Sequence, residues 1–160
     1  MTPRPRQPLT RSLRRRLGVL AAVAALAVPR LVQAANCSVS TTPLAFGAYN
    51  VYATLPTDSM GMVQWKCSQL SSPATLTLNQ GTGNAFNPRS MASGPNRLYY
   101  NLFLDAARTT IWGDGTGGTS TYTIDPADRR DSTELYGRIF ALQDAAVGTY
   151  ADTVTVVIIF

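Results

Sequence analysis

Thr153-Val154-Thr155-Val156-Val157-Ile158-Ile159-Phe160 is the stretch that decides the fold. Side chains alternate across a strand, so Thr153, Thr155, Val157 and Ile159 fall on one face and Val154, Val156, Ile158 and Phe160 on the other. Both faces turn apolar toward the end, which is how a strand inside a sheet reads. Soluble proteins cover or charge an apolar edge strand. The sequence therefore predicts that something else covers this one.

Working back from that strand, short runs rich in β-branched and aromatic residues recur at 37–46, 61–67, 74–78, 97–104, 119–124 and 133–142. With 150–160 they make a sandwich-like set of strands. Val63, Trp65 and Cys67 alternate with Met62, Gln64 and Lys66, which places Trp65 and Cys67 on the core side. Leu135, Gly137, Ile139 and Ala141 alternate likewise with Tyr136, Arg138 and Phe140. Turns are marked by Gly81-Thr82-Gly83-Asn84, Ser93-Gly94-Pro95-Asn96 and the run Gly113-Asp114-Gly115-Thr116-Gly117-Gly118. Helical periodicity is hard to find after residue 35, so the fold class expected is all-β.

The 160 residues carry a formal charge of +5, but half of the 14 basic residues lie before residue 31. From Ala35 onward seven basic residues face nine acidic ones, a net of −2, so no basic stripe is left for nucleic acid. The first residues divide into an Arg-rich start, an apolar run over 17–28 and a small-residue exit at Val32-Gln33-Ala34, the three parts of an export signal. Residues 1–34 are expected to be a cleaved signal peptide and 35–160 one β-sandwich domain. The apolar run is too short for a comfortable bilayer span, so no stable membrane anchor is expected in the mature chain. Its destination is the periplasm, then the cell surface or the medium. In that oxidising compartment the two cysteines, Cys37 and Cys67, are expected to form one disulfide.

The chain contains no His, which removes Ser-His-Asp and Cys-His catalysis. The acidic residues of 125–134, with Arg129 and Arg130 among them, read as a solvated turn rather than a catalytic pair. Asp152 and Asp144 read as solvated loop or edge charges. One carboxylate in the glycine-rich run 113–118 is too few for calcium, so neither metal nor other cofactor is expected, and Trp112 is expected to pack beneath that loop. Gly148-Thr149-Tyr150 has the form of a tyrosine corner.

Together, Cys37-Ser38-Val39-Ser40, Phe46-Gly47-Ala48-Tyr49, Val63-Gln64-Trp65-Lys66-Cys67, Leu76-Thr77-Leu78-Asn79-Gln80-Gly81, Arg89-Ser90-Met91, Leu98-Tyr99-Tyr100-Asn101-Leu102-Phe103, Ile111-Trp112-Gly113-Asp114-Gly115, Tyr136-Gly137-Arg138-Ile139 and Gly148-Thr149-Tyr150-Ala151-Asp152-Thr153-Val154 resemble, in order and spacing, the spore coat protein U domain of archaic chaperone-usher pilins. The resemblance implies an incomplete immunoglobulin-like sandwich whose final strand is missing. It implies a non-enzymatic pilus or coat subunit for adhesion or biofilm formation, with a periplasmic chaperone, an outer-membrane usher and neighbouring pilin subunits as partners. Strand donation would fill a groove for which Leu44, Phe46, Val154, Val156, Ile158 and Phe160 are the candidates. Cleavage after Ala34 would leave two residues before Cys37, too few to donate a strand, which suits a tip or chain-end position. The alternative is a self-contained, secreted, lectin-like binding module whose own first strand closes the sheet.

Overall fold

The computed structural model describes residues 36–160, so the expected signal peptide, 1–34, lies outside the described residues. Eight strands follow in order: β1 Cys37–Thr42, β2 Thr57–Cys67, β3 Ala74–Leu78, β4 Arg89–Ser93, β5 Asn96–Phe103, β6 Tyr122–Ile124, β7 Arg130–Ile139 and β8 Val156–Ile159. They form a five-stranded sheet in the order β1-β2-β7-β5-β4 and a three-stranded sheet in the order β6-β3-β8, with every pairing antiparallel. Among the described residues no helix is long and apolar enough to cross a membrane.

Alternation places the core. On β2 the residues Val63, Trp65 and Cys67 are buried while Met62, Gln64 and Lys66 face out. Leu76 and Leu78 from β3, Leu98 and Leu102 from β5, and Leu135 and Ile139 from β7 join them. Trp112 fastens the two layers. Fully buried, it donates from its indole Nε1 to the Leu76 carbonyl of β3 at 3.2 Å, and its backbone N–H donates to the Leu102 carbonyl of β5 at 2.9 Å. Its ring lies 6.1 Å from that of Tyr122, which in turn lies 5.5 Å from Trp65.

The observed strands differ from the expected ones where backbone chemistry intervenes. The run 37–46 ends as a strand at Thr42, because Pro43 has no N–H to give to the ladder. Arg89–Ser93 forms a strand the alternation did not announce, since Arg89 is a charged residue on an inward position. Its guanidinium is fully buried and donates to the Asn79 carbonyl (2.9 Å), the Trp112 carbonyl (2.8 Å) and Asn101 Oδ1 (2.9 Å), which offsets part of the desolvation cost. The last run pairs in two places: Ala151 bonds with Ala92 at the edge of the five-stranded sheet, and Val156–Ile159 pairs with β3 in the other.

Cys37 and Cys67 form a disulfide between directly paired residues of β1 and β2. It pins the edge strand β1 at its first residue. In the chain-entropy treatment, a crosslink over a sequence separation of 30 stabilises by about 3.5–4 kcal/mol. Cys37→Ser is expected to lower the free energy of unfolding in guanidinium by a large part of that amount, and an unchanged midpoint would remove the disulfide from the account.

Candidate binding groove

Beyond Thr42 the chain leaves the five-stranded sheet and runs along the open side of the sandwich. A cavity of about 980 Å³ lies there, walled by residues 41–52 on one side and 145–156 on the other. Its floor is the core itself: Leu78, Met91, Leu98, Tyr100, Leu102, Leu135 and Ile139. β1 comes within 8 Å of β8, Cα to Cα.

The first wall is seated on glycines. Gly61 and Gly137 are diagonal neighbours on β2 and β7. A Cβ at Gly137 would lie 2.6 Å from Leu44 Cδ2 and 2.8 Å from Phe46 Cζ, and one at Gly61 would lie 2.8 Å from the Thr42 carbonyl oxygen. Leu44 and Phe46 thus rest where the sheet has no side chain. Phe46 meets Tyr100 edge-on at 6.0 Å, a favoured aromatic geometry. Ser59 Oγ donates to the Ala45 carbonyl at 2.7 Å, and Tyr49 Oη donates to the Phe140 carbonyl at 3.0 Å while accepting from Gln143 N at 2.8 Å.

The second wall is the approach to β8. Tyr150 Oη donates to the Ala146 carbonyl at 2.8 Å, four residues upstream, as in a tyrosine corner. Asn79 N donates to the Thr155 carbonyl at 3.1 Å, which makes this a bonded pair of the antiparallel ladder. Bonded and non-bonded pairs alternate, so Thr77 with Val157 and Thr75 with Ile159 continue the bonded series. Val154, Val156 and Ile158 accordingly turn their N–H and carbonyl groups to the free edge, where among the described residues no strand is paired with them.

Of the six expected groove residues, Leu44, Phe46, Val154 and Val156 line the cavity. Ile158 is half-buried against the core beyond the cavity lining, and Phe160 is 56% exposed and lies outside it. Asp152 departs from its expected role as a solvated charge. One oxygen accepts from Tyr100 Oη at 2.6 Å; the other accepts from Thr82 N and Thr82 Oγ1, both at 2.7 Å. Burial pushes its carboxyl up, and the hydrogen bonds from Tyr100, Thr82 and Thr153 outweigh that, leaving the group below its ordinary value. Burial, and then the bond to Asp152, raises the Tyr100 hydroxyl above its ordinary range. Gly137 was open to sequence reading, since a glycine inside a strand marks a close approach. Nothing local marked Asp152, whose partners lie 52 and 70 residues away.

On the outer face of the five-stranded sheet, Asp58 pairs with Arg138 at 2.8 Å and Arg108 at 3.3 Å. Among the described residues no group of His, Cys, Asp and Glu could hold a metal ion.

The described residues thus form an all-β two-sheet sandwich with a core-floored groove along one open edge. The chain belongs to the Spore Coat Protein U domain family, whose family model matches residues 22–157. No curated protein matches it. A similar fold occurs in the crystal structure of the CsuC-CsuE chaperone-tip adhesion subunit pre-assembly complex from archaic chaperone-usher Csu pili of Acinetobacter baumannii, with 24% identity and a TM-score of 0.54 over 79% of this chain. The match spans 40% of that longer chain. The E. coli Hda pilus minor tip subunit HdaB matches at 13% identity and a TM-score of 0.41, over 76% of this chain and 79% of its own. Both neighbours are described as tip subunits of pili.

Two outcomes are expected from this geometry. Gly137→Val drives a side chain into Leu44 and Phe46 and is expected to cost about 1–3 kcal/mol by overpacking, read from urea unfolding. Because the Asp152 pKa is depressed on folding, its stabilisation is present above the unfolded value of 3.8 and is lost as pH falls through the lower folded value. Asp152→Asn is expected to be less stable at neutral pH and to show a shallower loss of stability on acidification, measured by thermal unfolding across the acid range.

Proposed function

We propose that this chain is a non-catalytic structural subunit of a bacterial surface pilus or coat, exported after removal of residues 1–34 and completed by a strand from another subunit. The observation that carries the reading is the free edge of the last strand beside an apolar cavity. Val154, Val156 and Ile158 offer backbone donors and acceptors there, and Leu44, Phe46, Val154 and Val156 offer apolar walls. Strand addition uses these two parts together: main-chain hydrogen bonds supply affinity, and alternate side chains entering pockets supply register. A periplasmic chaperone is the first occupant, an outer-membrane usher receives the complex, and a neighbouring pilin subunit supplies the final strand. Adhesion or biofilm formation is the role of the assembled fibre, with this subunit at a tip or chain end.

Family membership and the shared fold support this reading, and so does the lack of charge on the edge itself, since residues 153–160 contain no Asp, Glu, Lys or Arg. The test is to express the precursor with its neighbouring genes, purify it, and take intact masses of every accompanying chain. Recovery with a chaperone or sister subunit is expected, with a mature mass starting near Ala35 and reduced by the two hydrogens of the disulfide. Purification as a cooperative, partner-free monomer would replace this reading with the closed secreted binding module. Val156→Arg places a charge where an incoming strand would pack. It is expected to reduce co-purification of the partner at least tenfold, about 1.4 kcal/mol, while retaining the disulfide.

A further inference from the structure

The acceptor edge depends on a crossing that has little backbone pairing of its own. Ala151 is bonded through both N–H and carbonyl to Ala92 of β4, at 3.1 and 2.9 Å, and the next ladder bond is Asn79 N to the Thr155 carbonyl in the other sheet. Between them the chain passes from one layer to the other, and among the described residues Val154 takes no hydrogen bond through its own N–H or carbonyl. Side chains hold the crossing instead. Before Val154, the Asp152 carboxylate accepts from Tyr100 Oη and from Thr82 N and Oγ1. After it, Asn79 Oδ1 accepts from Thr155 N at 2.9 Å and from Gly81 N at 3.1 Å.

Both holds converge on one turn, residues 79–82. The buried Arg89 braces that turn through the Asn79 carbonyl. Gly81 stands at φ +72°, in the left-handed region, and a Cβ there would run into the Asp152 carboxylate. The turn is therefore shaped by glycine to let Asp152 approach.

Resting on the strand-accepting reading, we propose that Asn79, Thr82, Tyr100 and Asp152 form a clamp that presents Val154 and its unpaired backbone to the groove. They are positioning residues for strand acceptance: their hydrogen bonds act on segment 152–155, while the Tyr100 ring and Asp152 also border the cavity. Without the clamp, segment 152–155 loses the fixed orientation on which register depends, and an incoming strand must order it at its own expense.

The probe is a synthetic peptide of alternating valine and threonine, titrated as a competitor for the groove against the chain purified in complex with its partner, with thermal unfolding of the same complexes run in parallel. Tyr100→Phe removes one oxygen and keeps the ring on the groove floor; Asn79→Ala removes the second hold; Asn79→Asp keeps an acceptor for Thr155 N and Gly81 N. Expected are a dissociation constant about tenfold weaker for each of the first two variants and recovery toward the original value for Asn79→Asp. Should Asn79→Ala fail to fold, Tyr100→Phe and Asn79→Asp still decide the matter. Unchanged peptide affinity in Tyr100→Phe, whatever its melting temperature, would overturn the clamp and leave strand acceptance standing. No binding of the peptide by the unaltered chain would overturn both.

Discussion

Unpaired backbone polar groups beside an apolar cavity are an expensive combination, and this chain holds one at Val154, Val156 and Ile158. Each N–H or carbonyl turned to that edge must find water or a partner strand. The cavity next to it leaves the apolar walls Leu44, Phe46, Val154 and Val156 partly exposed to water, over a floor of almost sealed core residues. An occupant that supplies a ladder and apolar side chains at once relieves both costs. A compact sugar could relieve neither fully, because it brings no ladder.

Keeping such a groove open requires that its walls not fall together, and several rigid features serve that end. Trp112 spans the layers with one bond to each sheet. Arg89, buried among neutral acceptors, locks the β3 terminus to β5 and to Trp112. Breaking one partner of a buried charge leaves the charge uncompensated, so this arrangement resists small displacements. The disulfide fixes the start of β1, and the glycines at 61 and 137 let the first wall lie flat on the sheet. Collapse would require moving elements that are each tied at more than one point.

The sequence was most legible where period-2 alternation is undisturbed. β2 alternates along its whole length and β7 from Glu134 to Ile139, and there burial follows the pattern residue by residue. Legibility failed where tertiary partners set the conformation. Arg89 reads as a surface residue until the Asn79 and Trp112 carbonyls are brought to it, and Asp152 reads as solvated until Tyr100 and Thr82 arrive from distant strands and turns. Phe160 follows the same apolar period as Val154 and Val156, yet it sits past the end of β8 and clear of the cavity. Periodicity assigns a face; it does not say how far along that face a cavity extends.

β8 also separates the open sandwich from a closed one on physical grounds. Val157 and Ile159 point outward, 44% and 57% exposed, opposite Thr77 and Thr75. A self-contained secreted module with such an edge would invite uncontrolled pairing with other chains, and natural sheets guard against this with lysine, proline or a bulge. Residues 153–160 carry none of the three: no charge, no proline and a regular register with β3 from Val156 onward. A charged gatekeeper at these positions would repel or misalign an incoming strand, so an edge that must pair cannot keep one. On the proposed reading that protection comes from a partner strand that occupies the edge, which links the composition of eight residues to the chaperone and sister subunits of that proposal.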